Sequence, residues 1–219
     1  IYNFIVCNSM IKKQIEDQEL VKHLNNLPED GRQVMLLADG QIRLTGLSGT
    51  TMVNQMRANH NLGILETLVL GQAYIASGLM TSSVKGNDRI LLNVECGGPI
   101  GGISTEAWAC GAVRGYLKNN PIHLEKPLES WDMAPFFGNG GTLTIRRFGE
   151  GMKEPQVSSV EIMYKNIALD LAYYFDQSDQ IHTAFNTSIR FDEKGNVIGA
   201  CGMFLQAMHN AGGKSRISA

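Results

Sequence analysis

The sequence predicts an α+β domain built on a largely antiparallel sheet, and three observations carry that prediction. Apolar segments with strand-like alternation come in neighbouring pairs, joined by short turns rich in glycine and polar residues. Helical segments are inserted between those pairs and do not alternate strictly with single strands, which argues against a doubly wound parallel sheet. The stretch Thr67–Val84 carries no charge at all, as expected of a helix buried on every side.

Taken in order, Ile1–Cys7 reads as a short strand or docking segment. Gln14–Leu24 places Ile15, Leu20, Val21 and Leu24 among charges in a loose helical pattern that ends near Pro28. Val34–Ala38 and Gln41–Leu47 flank Asp39-Gly40, a pair suited to the positive φ of a tight primed hairpin turn. Thr50 or Thr51 is expected to cap a helix that runs through Asn59 and carries Met52, Val53 and Met56. The long uncharged helix follows, with Gly63 near its start and Lys85-Gly86-Asn87-Asp88 as its exit turn.

Arg89–Glu95, Ile103–Trp108 and Gly111–Leu117 read as strands, the first two joined by Gly97-Gly98-Pro99. Pro121, Pro127 and Pro135 break any regular element across the loop NPIHLEKPLESWDMAP. Thr142–Arg147 and Val157–Tyr164 alternate as strands do. Asn166–Gln177 puts Ile167, Leu171, Tyr174 and Phe175 on one helical face. Ala184–Phe191 and Val197–Met208 form a closing hairpin about the turn Asp192–Asn196. The 219 residues suit a single core domain, with 1–35 as an N-terminal appendage and 209–219 as a tail or the start of a linker.

Composition narrows the function classes. A net charge of -2 without a basic block gives no reason to expect a nucleic-acid partner. Roughly 18–20 apolar residues can cross a bilayer. Thr67–Val84, however, contains Gln72, Ser77, Thr81, Ser82 and Ser83 and has no basic flank or aromatic belt. A buried core helix is expected, and no membrane association. Low charge and ten methionines fit a protein that handles apolar partners, or a well-buried oligomer. With no signal peptide evident, the cytoplasm is the default compartment.

The candidate chemistry is thin. Gly97, Gly98, Gly101 and Gly102 lie between two strands with no following lysine, so a structural turn is expected rather than a phosphate cradle. FGNGG (Phe137–Gly141) fails on the same ground. Cys96, beside that turn, is the one candidate nucleophile. It would need a base from His23, His60, His123, His182 or His209, all in unrelated segments. Cys110 and Cys201 read as small core residues on strands, Glu161 and Asp170 as solvated positions, and Trp108 and Trp131 as packing anchors or loop staples. Cys7, Cys96, Cys110 and Cys201 make no C-x-C or C-x-x-C pair, so no zinc ligand set is present.

Five blocks in order resemble the heat-shock protein 33 family of redox-regulated bacterial holdase chaperones. They are LGQAYIASGLMTSSVKGNDRILLNVECGGPIGG, then VRGYLKN (Val113–Asn119) and KPLESWDMAPFFGNGGTLTI (Lys126–Ile145). NIALDLAYYFDQSDQIHTAFNTSI (Asn166–Ile189) and GACGMFLQAM (Gly199–Met208) complete the set. The resemblance covers roughly Leu36–Met208. It implies an α+β core, a homodimer, and a cytoplasmic chaperone that binds unfolding or oxidatively damaged client proteins without ATP. In the family a separate C-terminal domain holds zinc through C-x-C and C-x-x-C cysteines, and oxidation releases the metal and exposes an apolar client-binding surface.

This chain departs from the pattern after Met208, where only HNAGGKSRISA follows. Either the sensor lies outside these residues or the protein works without a redox switch. The absent initiator Met favours the first, and zinc is expected only with such a domain. No catalytic or metal-ligating residue is assigned, and the client-contact residues are undetermined. Apolar residues around Ile167–Phe175 are candidates for contact, though core packing suits most of them better. A Cys96-dependent thiol enzyme, or a structural dimer or adaptor without client binding, are the alternatives.

Overall fold

Residues 2–3, 12–124 and 130–208 are described by the structure, a computed structural model. In chain order the first elements are β1 (Tyr2–Asn3), α1 (Gln18–Asn25), β2 (Gly31–Leu37), β3 (Ile42–Ser48), α2 (Thr50–His60) and α3 (Ile64–Met80). Next come β4 (Arg89–Cys96), β5 (Gly102–Trp108), β6 (Val113–Leu117), α4 (Ala134–Phe137), β7 (Gly141–Phe148) and β8 (Gln156–Glu161). The last are α5 (Ile167–Tyr174), β9 (Thr183–Phe191) and β10 (Val197–Ala207). The α+β class with antiparallel pairing is as expected. The strands, however, form two sheets and not one: β1-β2-β3-β10-β9 and β6-β5-β4-β7-β8.

The charge-free run Thr67–Met80 explains the split; ahead of it α3 carries one charged residue, the buried Glu66, whose carboxylate accepts the Ile122 N–H at 2.7 Å. α3 lies between the two sheets and is buried along nearly its whole length. Towards the second sheet, the Tyr74 hydroxyl donates to the Gly115 carbonyl at 3.1 Å, and Ser77 and Thr105 share a buried hydroxyl contact at 2.6 Å. Towards the first, Ile75 and Leu79 pack against Gly202, where a Cβ would come within 2.6 Å of Ile75 Cγ2. A helix clad on both sides must be apolar all round, and fully burying each of its Leu and Ile side chains contributes about 1.5–3 kcal/mol. Ile64–Ser83 is apolar and long enough to cross a membrane, but 89% of an 18-residue apolar run within it is buried inside the protein. Phe175, Phe185 and Phe204 pack ring to ring beside it, with Phe185 and Phe204 stacked at 4.4 Å.

Several local expectations are corrected. Neither Thr50 nor Thr51 caps α2; Gly49 holds the N-cap position without a side chain. The Asp30 carboxylate accepts the Thr51 and Met52 N–H groups at 3.2 and 2.6 Å instead. Thr50 Oγ1 is turned inward, where it accepts the Ala200 N–H at 3.0 Å and ties the helix to β10. The β2–β3 turn is centred on Asp39-Gly40, which take the expected positive φ, but it is wider than a two-residue turn. Leu37 pairs with Ile42, four residues close the loop, and Ala38, Asp39 and Gly40 all take positive φ. β8 stops at Glu161, short of Tyr164, because the chain there turns to wrap the Asp170 carboxylate.

Asp170 is not solvated. It is 1% exposed and accepts three main-chain N–H groups, from Met163 and Tyr164 at 2.8 Å and Asn166 at 2.9 Å. Glu161 is exposed as expected. Cys201 is exposed on β10, and Cys110 is half-buried in the turn after β5, so neither is a core residue. Trp108 lies under the Arg114 guanidinium at 4.9 Å. Trp131 stacks on Phe191 yet stays 64% exposed. Ile1, most of Ile1–Cys7, Lys126–Leu128 and residues 209–219 lie outside the described residues.

Candidate functional site

The two sheets differ in what their outward faces carry. Directly paired residues in an antiparallel sheet share a face, so the register sorts the side chains. On the second sheet the outward rows read Glu106–Leu91–Arg146–Val157, Ser104–Asn93–Thr144–Ser159 and Gly102–Glu95–Thr142–Glu161. Ion pairs from Glu106 to Arg89 at 3.0 Å and to Arg114 at 2.6 Å add charge to that face. It is a solvated surface.

On the first sheet, Val34, Thr45, Phe204 and Phe185 form one row turned to the helices. The alternate rows, turned outward, read Met35–Leu44–Leu205–Ala184, Leu37–Ile42–Ala207 and Gln33–Gly46–Met203–Asn186. No outward position of β2, β3 or β10 within these rows carries a charge. Met35 is 45% and Met203 47% exposed, with Leu37 exposed and Ile42, Leu44 and Leu205 partly so. Contiguous exposed apolar surface is the kind of feature that accompanies interaction sites on proteins. The helix-side row is not free: Arg43 donates to Gln206, and Arg32 donates to Thr81.

Sequence reasoning missed this face. Its signal was legible in hindsight as VMLL in β2 and GMFLQA in β10, which are apolar at both parities where a half-solvated strand alternates. The Ile167–Phe175 candidates fall mostly to the core: Ile167, Leu171, Tyr174 and Phe175 are buried, while Leu169 is exposed.

Among the described residues no histidine lines the hollow at Cys96. Glu95, Gly97, Gly101, Lys118, Asn139, Gly140, Gly141 and Thr142 line the open hollow beside it. His182 pairs instead with Asp176 at 2.8 Å, and His209 lies outside the described residues. Burial pushes the Cys96 thiol up, opposed by the Gly98 amide and the Lys118 charge, so it is held as a thiol and not as a reactive thiolate. The glycine run is a structural turn: Gly98 and Ile100 N–H groups donate to Phe137 and Phe136 carbonyls at 3.0 and 3.2 Å. A zinc site does not fit the described residues, among which no group of three or more His, Cys, Asp or Glu could hold a metal.

The fold and this face define a class: a two-sheet α+β scaffold with uncharged, apolar surface on one outward side. A family model described as Hsp33 protein matches residues 30–218. The 33 kDa chaperonin of Synechococcus sp. (strain JA-3-3Ab) is 35% identical over 176 residues, covering 80% of this chain and 54% of that protein. That of Ruminiclostridium cellulolyticum is 34% identical over 181 residues, covering 81% and 60%. The crystal structure of the 33 kDa chaperonin (heat shock protein 33 homolog) of Thermotoga maritima superposes with a TM-score of 0.74 at 33% identity, covering 80% of this chain and 60% of that one. The chain belongs to the Hsp33 family, and it spans little more than half the length of these relatives. Residues 12–29, including α1, precede the matched region.

Proposed function

We propose that this chain is the client-holding core of an ATP-independent holdase chaperone. It binds unfolding or oxidatively damaged proteins on the outward face of the first sheet and prevents their aggregation. The observation that carries the reading is the contrast between the two sheets. One outward face is crossed by ion pairs, while the other is uncharged through the outward positions of three adjacent strands. Methionine is prominent on that face, and its flexible, polarizable side chain suits partners of varied shape.

Holding of this kind makes and breaks no covalent bond and uses no metal or nucleotide within these residues. The same reading takes residues 1–219 as one core domain, working in the cytoplasm as a homodimer, without nucleic-acid or membrane partners. Zinc belongs to the proposal only as part of a cysteine-bearing sensor outside this sequence, so holding by this chain is independent of peroxide. Light scattering of a heat-denaturing client at stoichiometric chain tests the reading. Suppressed aggregation, equal before and after peroxide, is expected. Unchanged aggregation with both reduced and oxidised protein would remove it.

A further inference from the structure

We propose that the free edge of β2, Gln33–Leu37, captures client chain by strand addition. An extended apolar segment of an unfolding polypeptide would join the first sheet there, main chain to main chain. This rests on the holdase reading above and specifies how the client is gripped.

The edge is open in a defined way. β3 pairs with β2 along its whole length, from Gly31 to Leu37. On the other side β1 covers only two residues, with Asn3 opposite Gly31 and Tyr2 opposite Arg32. Among the described residues no strand lies beside Gln33–Leu37. Among the described residues, alternate N–H and C=O groups along about 17 Å of strand are thus left to water, a row with which another extended backbone can pair. β1 shows that this edge accepts an antiparallel neighbour.

Side chains mark the same five residues. Val34 and Leu36 lie on the helix-side parity and Met35 and Leu37 on the outward parity, yet all four are exposed, Leu36 by 63%. The other sheet margins carry polar and charged residues: Arg190 on β9, Arg114 on β6, and Gln156 and Glu161 on β8. Charges and prolines are the usual defence of a strand edge against unwanted pairing. Gln33–Leu37 has neither.

The occupant follows from these facts. An added strand meets apolar side chains on both of its faces and no charge, so the fitting segment is uncharged, extended and apolar. Main-chain pairing tolerates varied sequence, as a chaperone requires. The added strand would also lie beside Met35 and Leu37, extending the outward apolar face without a break. Five paired residues alone bury far less than the roughly 1,200 Å² of a stable protein–protein interface, which disfavours a second copy as the occupant.

The probe is an acetylated, amidated, fluorescein-labelled heptapeptide alternating valine and threonine, with a twin N-methylated at every residue. The twin keeps every side chain and loses the donors of both edges. With the 219-residue chain, the parent should bind and slow hydrogen exchange at alternate amides within Gln33–Leu37. The twin should bind at least about tenfold more weakly, the effect of losing two or three main-chain hydrogen bonds. Leu36→Lys should weaken the parent by a similar factor while leaving the melting temperature unchanged. Equal binding of parent and twin, or protection confined to other amides, overturns strand addition while suppression of client aggregation still upholds the holdase reading. Concentration-dependent protection of the edge without peptide would assign it to a second copy and also overturn the proposal. Loss of aggregation suppression with the peptide result intact would remove the holdase reading alone.

Discussion

Asp170 holds the approach to α5 in place. Its carboxylate gathers three main-chain N–H groups from the segment that leaves β8, a charge-assisted arrangement inside the protein. Asp170→Asn keeps the shape but turns an NH2 group towards at least one of those donors. The expected cost is about 1.5–3 kcal/mol, read by urea unfolding; a change below measurement error would refute this role. Asp30 acts differently. Burial raises its carboxyl above the ordinary aspartate value of 3.8, against the N–H bonds of Met52 and Thr51. The native state thus holds that proton more tightly than the unfolded chain does. Asp30's contribution to stability is greatest below 3.8 and falls as pH rises through the raised value. The melting-temperature difference between the native protein and Asp30→Asn should shift against the native protein across that window, and a flat difference would contradict the account. Cys96, half-buried and held protonated, should be alkylated by iodoacetamide more slowly than exposed Cys201, as mass spectrometry of the two peptides would report. Cys96→Ser should leave client holding intact.

Helices and hairpins were legible because local chemistry and packing agree along most of the chain. The uncharged run, the Gly63 start and the Lys85–Asp88 exit describe α3 almost to the residue, and the closing hairpin has the expected turn. The departures have a common cause, which is that a side chain outside the element supplies what the element's own residues were expected to supply. Asp30 caps α2 from 21 residues away, and the Asp170 cradle ends β8 early. Division into two sheets was hidden for a similar reason. Strand order is set by α3 lying between hairpins, and a list of strands does not contain it. The glycine turn between β4 and β5 shows the reverse, a packing constraint visible as composition. A Cβ on Gly98 would meet the backbone of Phe136, Phe137 and Gly138, which cannot swing aside as a side chain could. Gly98→Ala should therefore destabilise by about 1–3 kcal/mol or more. A thermal melt within a degree of the native protein's would show that the α4 segment is free to move.

Across the described residues, two sheets packed about α3 leave two outward faces with opposite chemistry. The motif blocks made the family legible, because residue identity and order can be read without knowing which faces meet. Which side of the first sheet its apolar residues share was not legible, since facing is decided by register and sheet order. Met35 and Leu36 are neighbours in sequence, yet only Met35 lies on the outward face. The apolar parity of β2 and β10 acquires meaning once β3 is placed between them. The account stands on that face and is tested most directly by light scattering of a heat-unfolding client in the presence of the native chain or of Met35→Glu/Met203→Glu. Both positions are nearly half exposed, so the double variant should melt as the native protein does. The native chain should suppress aggregation and the variant should lose most of that effect. A variant that protects the client as well as the native chain does would contradict the assignment of this face as the holding surface.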